Sequence, residues 1–244
     1  MENPWKEIKN KEYVLLKDQE RIKEFNINTK TIEHKIQTQL IPDPFFGNKD
    51  AKVILLMLNP GFGGKEVNDY KEINNFEEIL LNNLKHANTQ RHFFSLNETF
   101  AKSEAFKYWS PKVKELNTLK FDNNFLSEKI FCINLFPYHS EKYKKLKGEL
   151  LESQKYALYL LNEAIKKDDS LIISMRSYAP WAKAYSAEYK EERAFDDLVN
   201  DRKMLRISSY GNPTLSKRNL LQKDGFDGFE KLISKLKEPI EVFS

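Results

Sequence analysis

The stretch Val53-Ile54-Leu55-Leu56-Met57-Leu58-Asn59-Pro60-Gly61 decides the fold. Its apolar run does not alternate with polar residues, which is typical of a strand buried on both faces, as in a parallel sheet. The run ends in a polar side chain, a rigid proline and a glycine. This arrangement predicts that Asn59 lies at the carboxyl edge of the sheet, where open α/β sheets bind their ligands.

Further apolar runs predict strands at residues 130–136, 171–174 and about 204–208. Stretches with helical character lie at about 5–25, 30–40, 74–86, 93–117, 149–166, 180–188 and 226–237. Because strands alternate with helices, we predict a three-layer α/β/α sandwich with a mostly parallel central sheet. No Gly/Ser- or Pro-rich linker divides the chain, so we expect a single domain over 1–244, with an N-terminal helical extension over about 1–40.

Composition limits the classes of function. The chain has 244 residues, 40% of them hydrophobic, and its 17 Phe and 11 Tyr are enough to fill a sizeable core. One cysteine, Cys132, excludes an internal disulfide framework and a cysteine-ligated cluster. There is no apolar leader at the N-terminus and no run long enough to cross a membrane. We therefore expect a cytoplasmic protein, without a membrane partner. The net charge of +4 permits nucleic-acid binding but does not demonstrate it.

Other polar residues follow the predicted strands. Asn134 lies inside the second run, and the loop after it, Leu135-Phe136-Pro137-Tyr138-His139-Ser140, carries a histidine. A second Asn-Pro segment, Asn212-Pro213-Thr214-Leu215-Ser216, follows the last strand. Because the carboxyl ends of parallel strands share one edge, we expect Asn59, Asn134 and Asn212 to converge on one cleft.

These motifs, in this order, resemble those of the uracil-DNA glycosylase superfamily. Leu55–Gly61 is similar to the first family motif in its Asn-Pro-Gly form, seen in the mismatch-specific uracil/thymine and single-strand-selective branches. Phe131–Asn134 resembles the strand that supplies a pyrimidine-reading Asn, residues 171–179 take the place of a strand and turn, and Asn212–Ser216 resembles the last motif. The resemblance spans roughly residues 42–220 and implies a uracil-DNA glycosylase-like fold.

The resemblance implies a monofunctional DNA glycosylase of base-excision repair that flips a base out of DNA and hydrolyses its N-glycosidic bond. Such an enzyme is expected to need neither a metal nor a cofactor. Asn59 is expected to position the attacking water through its amide oxygen. The alternative is that Asn59 only caps a strand-to-helix turn. Asn212 takes the place of a catalytic His of the fastest branch, and His139 is a further catalytic candidate, unless it is a surface loop residue.

Recognition of the base is expected to fall to Asn134, which can both donate to and accept from a base edge. Alternatively, Asn134 bridges neighbouring backbone. Tyr70 is the first candidate for stacking on the base and Phe62 the second, although both can equally be core residues. Gly61 permits close backbone approach to a ligand.

DNA contacts are expected from Thr214, Leu215, Ser216, Lys217 and Arg218. An exposed Leu215 can fill the hole left by a flipped base, and the two cations suit phosphates; the alternative is a Leu folded onto the core. Three functions stay open: a glycosylase for uracil or another altered base in duplex or single-stranded DNA, a base- or nucleotide-binding relative that does not cut, and a hydrolase of modified bases in foreign DNA or in nucleotides. We expect a monomer.

Overall fold

The structure is a computed structural model that describes residues 1–8, 12–87, 93–209, 211 and 213–240. Its strands are β1 (Phe45–Gly47), β2 (Val53–Met57), β3 (Ile130–Asn134), β4 (Leu171–Ser174) and β5 (Met204–Arg206). Its α-helices are α1 (Leu16–Asn28), α2 (Glu66–Glu72), α3 (Phe76–Leu84), α4 (Glu104–Thr118), α5 (Asn123–Lys129), α6 (Glu152–Lys166), α7 (Tyr178–Tyr189), α8 (Ala194–Asn200), α9 (Lys217–Leu220) and α10 (Gly228–Lys237).

The described strands form one five-stranded sheet in the order β1-β3-β2-β4-β5. The four strands β2 to β5 run parallel, and only β1 is antiparallel to its neighbour, β3. The chain passes from β2 to β3 on one side and then returns to β4 on the other side of β2. This reversal of strand order leaves a crevice at the carboxyl ends of the central strands.

The four parallel strands confirm the strands expected from the apolar runs, and the α/β class is confirmed with them. β3 ends at Asn134, two residues short of the predicted run, and the amides of Leu135 and Phe136 still donate to the carbonyls of Met57 and Leu58. β1 was not predicted. It is three residues long and is defined by its pairing with β3 rather than by a pattern of its own.

Gly47 explains how β1 can lie so close to its partner. Its φ of +97° is in the region that favours glycine, and a Cβ at this position would stand 2.1 Å from the carbonyl oxygen of Ile130. Any side chain here would therefore push β1 away from the start of β3.

The N-terminal forty residues are less helical than predicted. Residues 30–40 contain only the 3-10 turn Ile32–His34, and the predicted first helix is a 3-10 turn at Pro4–Glu7 followed, after the undescribed residues 9–11, by α1. Trp5, Ile22 and Ile36 from this segment are buried in the same apolar core as the central strands. Among the described helices none has the length and apolar character that a membrane crossing requires.

A buried carboxyl joins this segment to the loop after β3. Asp18 of α1 accepts hydrogen bonds from the Tyr138 hydroxyl (2.8 Å) and from the backbone amide of Glu152 (2.9 Å), at the start of α6. The amide of Ser153 donates to the same carboxyl at 3.3 Å. Burial raises the pKa of Asp18, and these hydrogen bonds oppose the rise.

We expect Asp18→Ala to lower the free energy of unfolding by about 2–3 kcal/mol, because it leaves a buried hydroxyl and two amides without their acceptor. Asp18→Asn keeps one acceptor oxygen and is expected to cost less. Glu24→Ala, an exposed acid on the same helix, is the control and should change little. Urea unfolding followed by circular dichroism measures all three; equal stabilities for Asp18→Ala and the control would contradict this role.

Candidate functional site

A cavity of about 690 Å³ opens at the carboxyl edge of the sheet, a size typical of small-molecule sites. Its wall is formed by residues that follow β2, β3 and β4, together with α4 and the segment before β1. The polar residues in it include Asp43, Asn59, Glu66, Asn134, His139, Ser140 and Arg176, and the aromatic ones are Phe46, Phe62, Tyr108, Trp109 and Tyr143. The cavity lies where the reversal of strand order predicts a ligand.

Asn59 and Asn134 both line this cavity, as their positions after β2 and at the end of β3 predict. Asn212 lies outside the described residues, and its expected convergence with them stays a prediction. The remaining described part of that segment, residues 213–216, does not line the cavity.

The amide of Asn59 has a defined orientation. Its nitrogen donates to the carbonyl of Pro60 (2.9 Å) and to the hydroxyl of Ser140 (3.2 Å), and a carbonyl can only accept, so the nitrogen must face Pro60. No group in the described part of the chain donates to its amide oxygen. Asn59 does not cap a helix: α2 begins at Glu66, six residues later than Pro60, and no side chain caps it.

Asn134 is 3% exposed and ends β3. Its side-chain nitrogen donates to the backbone carbonyl of Asp43 at 2.6 Å, and its backbone amide donates to that of Pro44 at 2.9 Å. The expected bridge to neighbouring backbone is therefore present. It uses one of the two N–H bonds of the amide and leaves the amide oxygen without a donor from the described residues.

His139 is buried, so the expectation of a surface loop residue is wrong. Its Nδ1 lies 2.9 Å from the carbonyl oxygen of Gly61, and its Nε2 lies 3.1 Å from that of Ile41. Both partners can only accept, so both hydrogen bonds exist together when each ring nitrogen carries a proton. The carboxyl of Asp43 lies 3.5 Å from Nε2, close enough to pair with the ring in its protonated form. The ring joins three segments of the cavity wall, and neither nitrogen is left for a ligand.

Asp43 was not among the predicted site residues. Burial raises the pKa of its carboxyl; His139 opposes this rise, and the nearby carboxyl of Glu66 adds to it. Glu66 accepts from the amide of Gly63 through one oxygen, and its other oxygen is buried without a hydrogen-bond partner. The sequence feature that could have indicated Asp43 is its position as a single acid between Pro42 and Pro44, directly before the sheet.

The two aromatic residues predicted to stack on the base differ in their position relative to the cavity. Phe62 lines the cavity, as does Gly61. Tyr70 does not: its hydroxyl accepts from the amide of Ile41 at 2.9 Å, and its ring meets that of Phe76 edge-on at 5.5 Å. Tyr70 is therefore a packing residue behind the wall, and its expected role in base stacking is wrong. Tyr108 and Trp109 of α4, which the sequence did not single out, are on the wall instead.

The last motif is structural in its described part. Leu215 is fully buried, and its amide donates to the carbonyl of Lys112 at 2.8 Å, so the expected exposed wedge is wrong. The hydroxyls of Thr214 and Ser216 lie 3.1 Å apart and bond within their own turn. Lys217 is exposed and lies 3.7 Å from Asp227, which offsets its charge.

Arg218, the other expected DNA-binding cation, is exposed. The expectation that Arg218 contacts a phosphate stays a prediction. Within the described ranges, no three His, Cys, Asp or Glu side chains come together as a metal ion would require.

Two cations flank Tyr108 at the cavity. The ammonium of Lys112 lies 3.4 Å from the centre of the Tyr108 ring, and the Arg176 guanidinium is close enough to the Tyr108 hydroxyl to oppose the rise in its pKa that burial causes. Burial, and secondarily Arg176, lower the pKa of Lys112 to about 8. Lys112 is 7% exposed, so its charged form is costly in the folded protein.

We expect Lys112→Met to raise the free energy of unfolding by about 1–2 kcal/mol at pH 7, after the loss of the contact with Tyr108. The folded pKa is below that of the unfolded chain, so the penalty is full below pH 8 and disappears as the pH rises toward 10.5. The advantage of the variant should shrink over the same interval. Urea unfolding at pH 7 and pH 10 measures it. Lys114→Met, at an exposed position of α4, is the control; a stability loss at position 112 would contradict the prediction.

The chain was compared with known proteins. It matches no protein-family model, no curated protein and no solved structure at a significant level.

Proposed function

We propose that this protein hydrolyses the N-glycosidic bond of a uracil-like or otherwise altered base, in the manner of a monofunctional glycosylase with a uracil-DNA glycosylase-like three-layer fold. The observation that carries the proposal is that Asn59 and Asn134 line one cavity. Each has its amide nitrogen held by neighbouring oxygens, and each amide oxygen lacks a donor from the described residues. The ordered motifs support the same function.

In this proposal Asn134 recognises the base. Its amide has one N–H and its oxygen available, so it pairs with an edge that offers an acceptor next to a donor, such as the imide edge of uracil. The bond to Asp43 holds the amide in place before the base arrives. Because Phe62, Tyr108 and Trp109 are on the cavity wall, they are the candidates for contact with the faces of the base.

Asn59 then holds the water and Asp43 accepts its proton. The water oxygen forms a bond to the sugar C1′ while the bond from C1′ to the base nitrogen breaks, and the electron pair leaves with the base. An amide oxygen can orient a water but is a poor base, whereas a buried carboxyl of raised pKa is suited to accept a proton. His139 positions Asp43 and does not contact the substrate.

The burial of Leu215 favours a substrate whose base is already outside a helix. Without an exposed wedge, the described part of the protein offers no side chain of the last motif to replace a base extruded from a duplex. We therefore propose a base in single-stranded DNA, or in a free nucleotide, as the substrate, acted on inside the cytoplasm.

A second candidate is a protein that binds a base or nucleotide without cutting it. The occupied nitrogens of His139 favour this alternative, since they remove one donor for a leaving base. Both candidates use the same cavity, so cleavage itself separates them.

The decisive experiment incubates pure protein with single-stranded and duplex oligonucleotides that carry uracil, hypoxanthine or a hydroxymethylated base, and with dUMP. Alkali then reveals abasic sites in the oligonucleotides, and chromatography reveals free base. Release of base, faster from the single strand than from the duplex, supports the proposal. Binding without release supports the second candidate.

We expect Asn59→Ala to lower the single-turnover rate by roughly 10²-fold, in the range of a lost transition-state contact, with little change in affinity. Asp43→Asn should lower the rate as well and remove the acid limb of its pH profile, because the group that must be ionised is then absent. Asn68→Ala, at an exposed position of α2, is the control. An Asn59→Ala rate equal to that of the control would remove Asn59 from the mechanism.

Asn134→Ala should weaken binding of a uracil-containing single strand by about tenfold or more, while binding of the same strand with an abasic site should not change. The difference between the two ligands isolates base recognition from backbone contacts. Fluorescence anisotropy measures both, and thermal unfolding checks that the variant is folded. An equal loss on both ligands would show that Asn134 only supports the cavity wall.

A further inference from the structure

Lys112 and Arg176 come together from two different elements. Lys112 is on the third turn of α4, and Arg176 is the second residue after β4. Tyr108 lies between them, with the Lys112 ammonium over its ring and Arg176 at its hydroxyl. Tyr108 and Arg176 line the cavity that contains Asn59 and Asn134. Arg176 is therefore on the cavity wall, and Lys112 is outside the lining residues, with its ammonium over the ring of Tyr108, which does line the cavity.

Neither cation has a counter-charge in the described part of the chain. No carboxylate there forms an ion pair with Lys112 or Arg176, in contrast to Lys52, Lys142 and Lys217, each of which has at least one. Lys112 is more than nine-tenths buried, and Arg176 further disfavours its charge. Two neighbouring positive charges destabilise the folded state when one of them is buried without a counter-charge, unless an anion binds to them.

We propose that Arg176 binds a phosphate of the substrate and that the nearby charge of Lys112, over the Tyr108 ring, strengthens this subsite. This subsite rests on the proposed function, since it assigns the phosphate to the nucleoside whose base is in the cavity. The guanidinium of Arg176 presents paired N–H donors that match two phosphate oxygens, and Lys112 supplies a point charge from the side of α4. The hydrogen bond from the Leu215 amide to the Lys112 carbonyl fixes that turn of α4 against the loop after β5.

Two sources of phosphate have the same chemistry: the 5′-monophosphate of a free nucleotide and a phosphodiester of a single strand. An uncharged nucleoside has neither. The proposal therefore predicts a preference for dUMP, or for a short uracil-containing strand, over deoxyuridine, and it predicts that this preference depends on Lys112 and Arg176.

The test measures binding by calorimetry in the Asn59→Ala background, so that ligands stay intact. The ligands are deoxyuridine, dUMP, a trinucleotide with a central deoxyuridine and no terminal phosphate, and inorganic phosphate. Lys112→Met and Arg176→Gln are each expected to reduce the affinity of a phosphate-containing ligand about tenfold and to leave that of deoxyuridine unchanged. Lys114→Met and Arg193→Gln, at exposed positions, are the matched controls.

The outcomes separate the subsite from the proposed function. If dUMP and the trinucleotide bind no better than deoxyuridine, or if both variants keep the preference, the subsite is wrong, whatever the protein does to the base. If inorganic phosphate binds and Lys112→Met abolishes its binding, the subsite holds, even when no base is bound or released. If the two variants lose affinity for dUMP alone, a free nucleotide is the source of the phosphate. If they lose affinity for the trinucleotide alone, the source is a single strand.

Discussion

The cavity depends on one buried imidazole. His139 lies within hydrogen-bonding distance of a carbonyl oxygen in the loop after β2 and of another in the segment before β1, and it belongs to the loop after β3. Both of these partners are carbonyl oxygens, which can only accept, and the carboxyl of Asp43 lies 3.5 Å from Nε2 of the same ring. A rearrangement of any one of the three segments breaks a contact of the same ring, so the wall keeps its shape only as a unit.

The parallel strands could be predicted from the sequence because each is a continuous apolar run that must be buried on both faces. The helices could be predicted less well. Residues 30–40 have a helix-like pattern but form a 3-10 turn followed by bends and a second turn, since their contacts with the core and with the loop after β3 determine their course. The short helices α5 and α8 and strand β1 have too few residues to show a period.

The site could be predicted where position after a strand suffices, as for Asn59, Asn134 and Phe62. Asp43 and Lys112 could not, since their importance comes from burial and from partners distant in the chain. The prediction for Leu215 failed because its polar neighbours suggested an exposed turn. Those hydroxyls instead bond to one another and to Asn219, which lets the apolar side chain turn inward. The prediction for Tyr70 was wrong because Tyr70 lies eleven positions after Asn59, across a loop and into α2, and sequence spacing alone does not show where such a residue lies.

Strand β1 has a consequence for solubility. By pairing with β3 it satisfies backbone groups of that five-residue buried strand, so that the edge of the sheet on this side is only three residues long. The same short segment continues from Pro44 and Asp43, so one piece of chain both shortens the exposed edge and places an acid in the cavity wall. Gly47 lets this segment lie close to the start of β3. Substitutions that loosen this segment would therefore promote edge-to-edge association and disturb the cavity together, and selection on either property constrains the other.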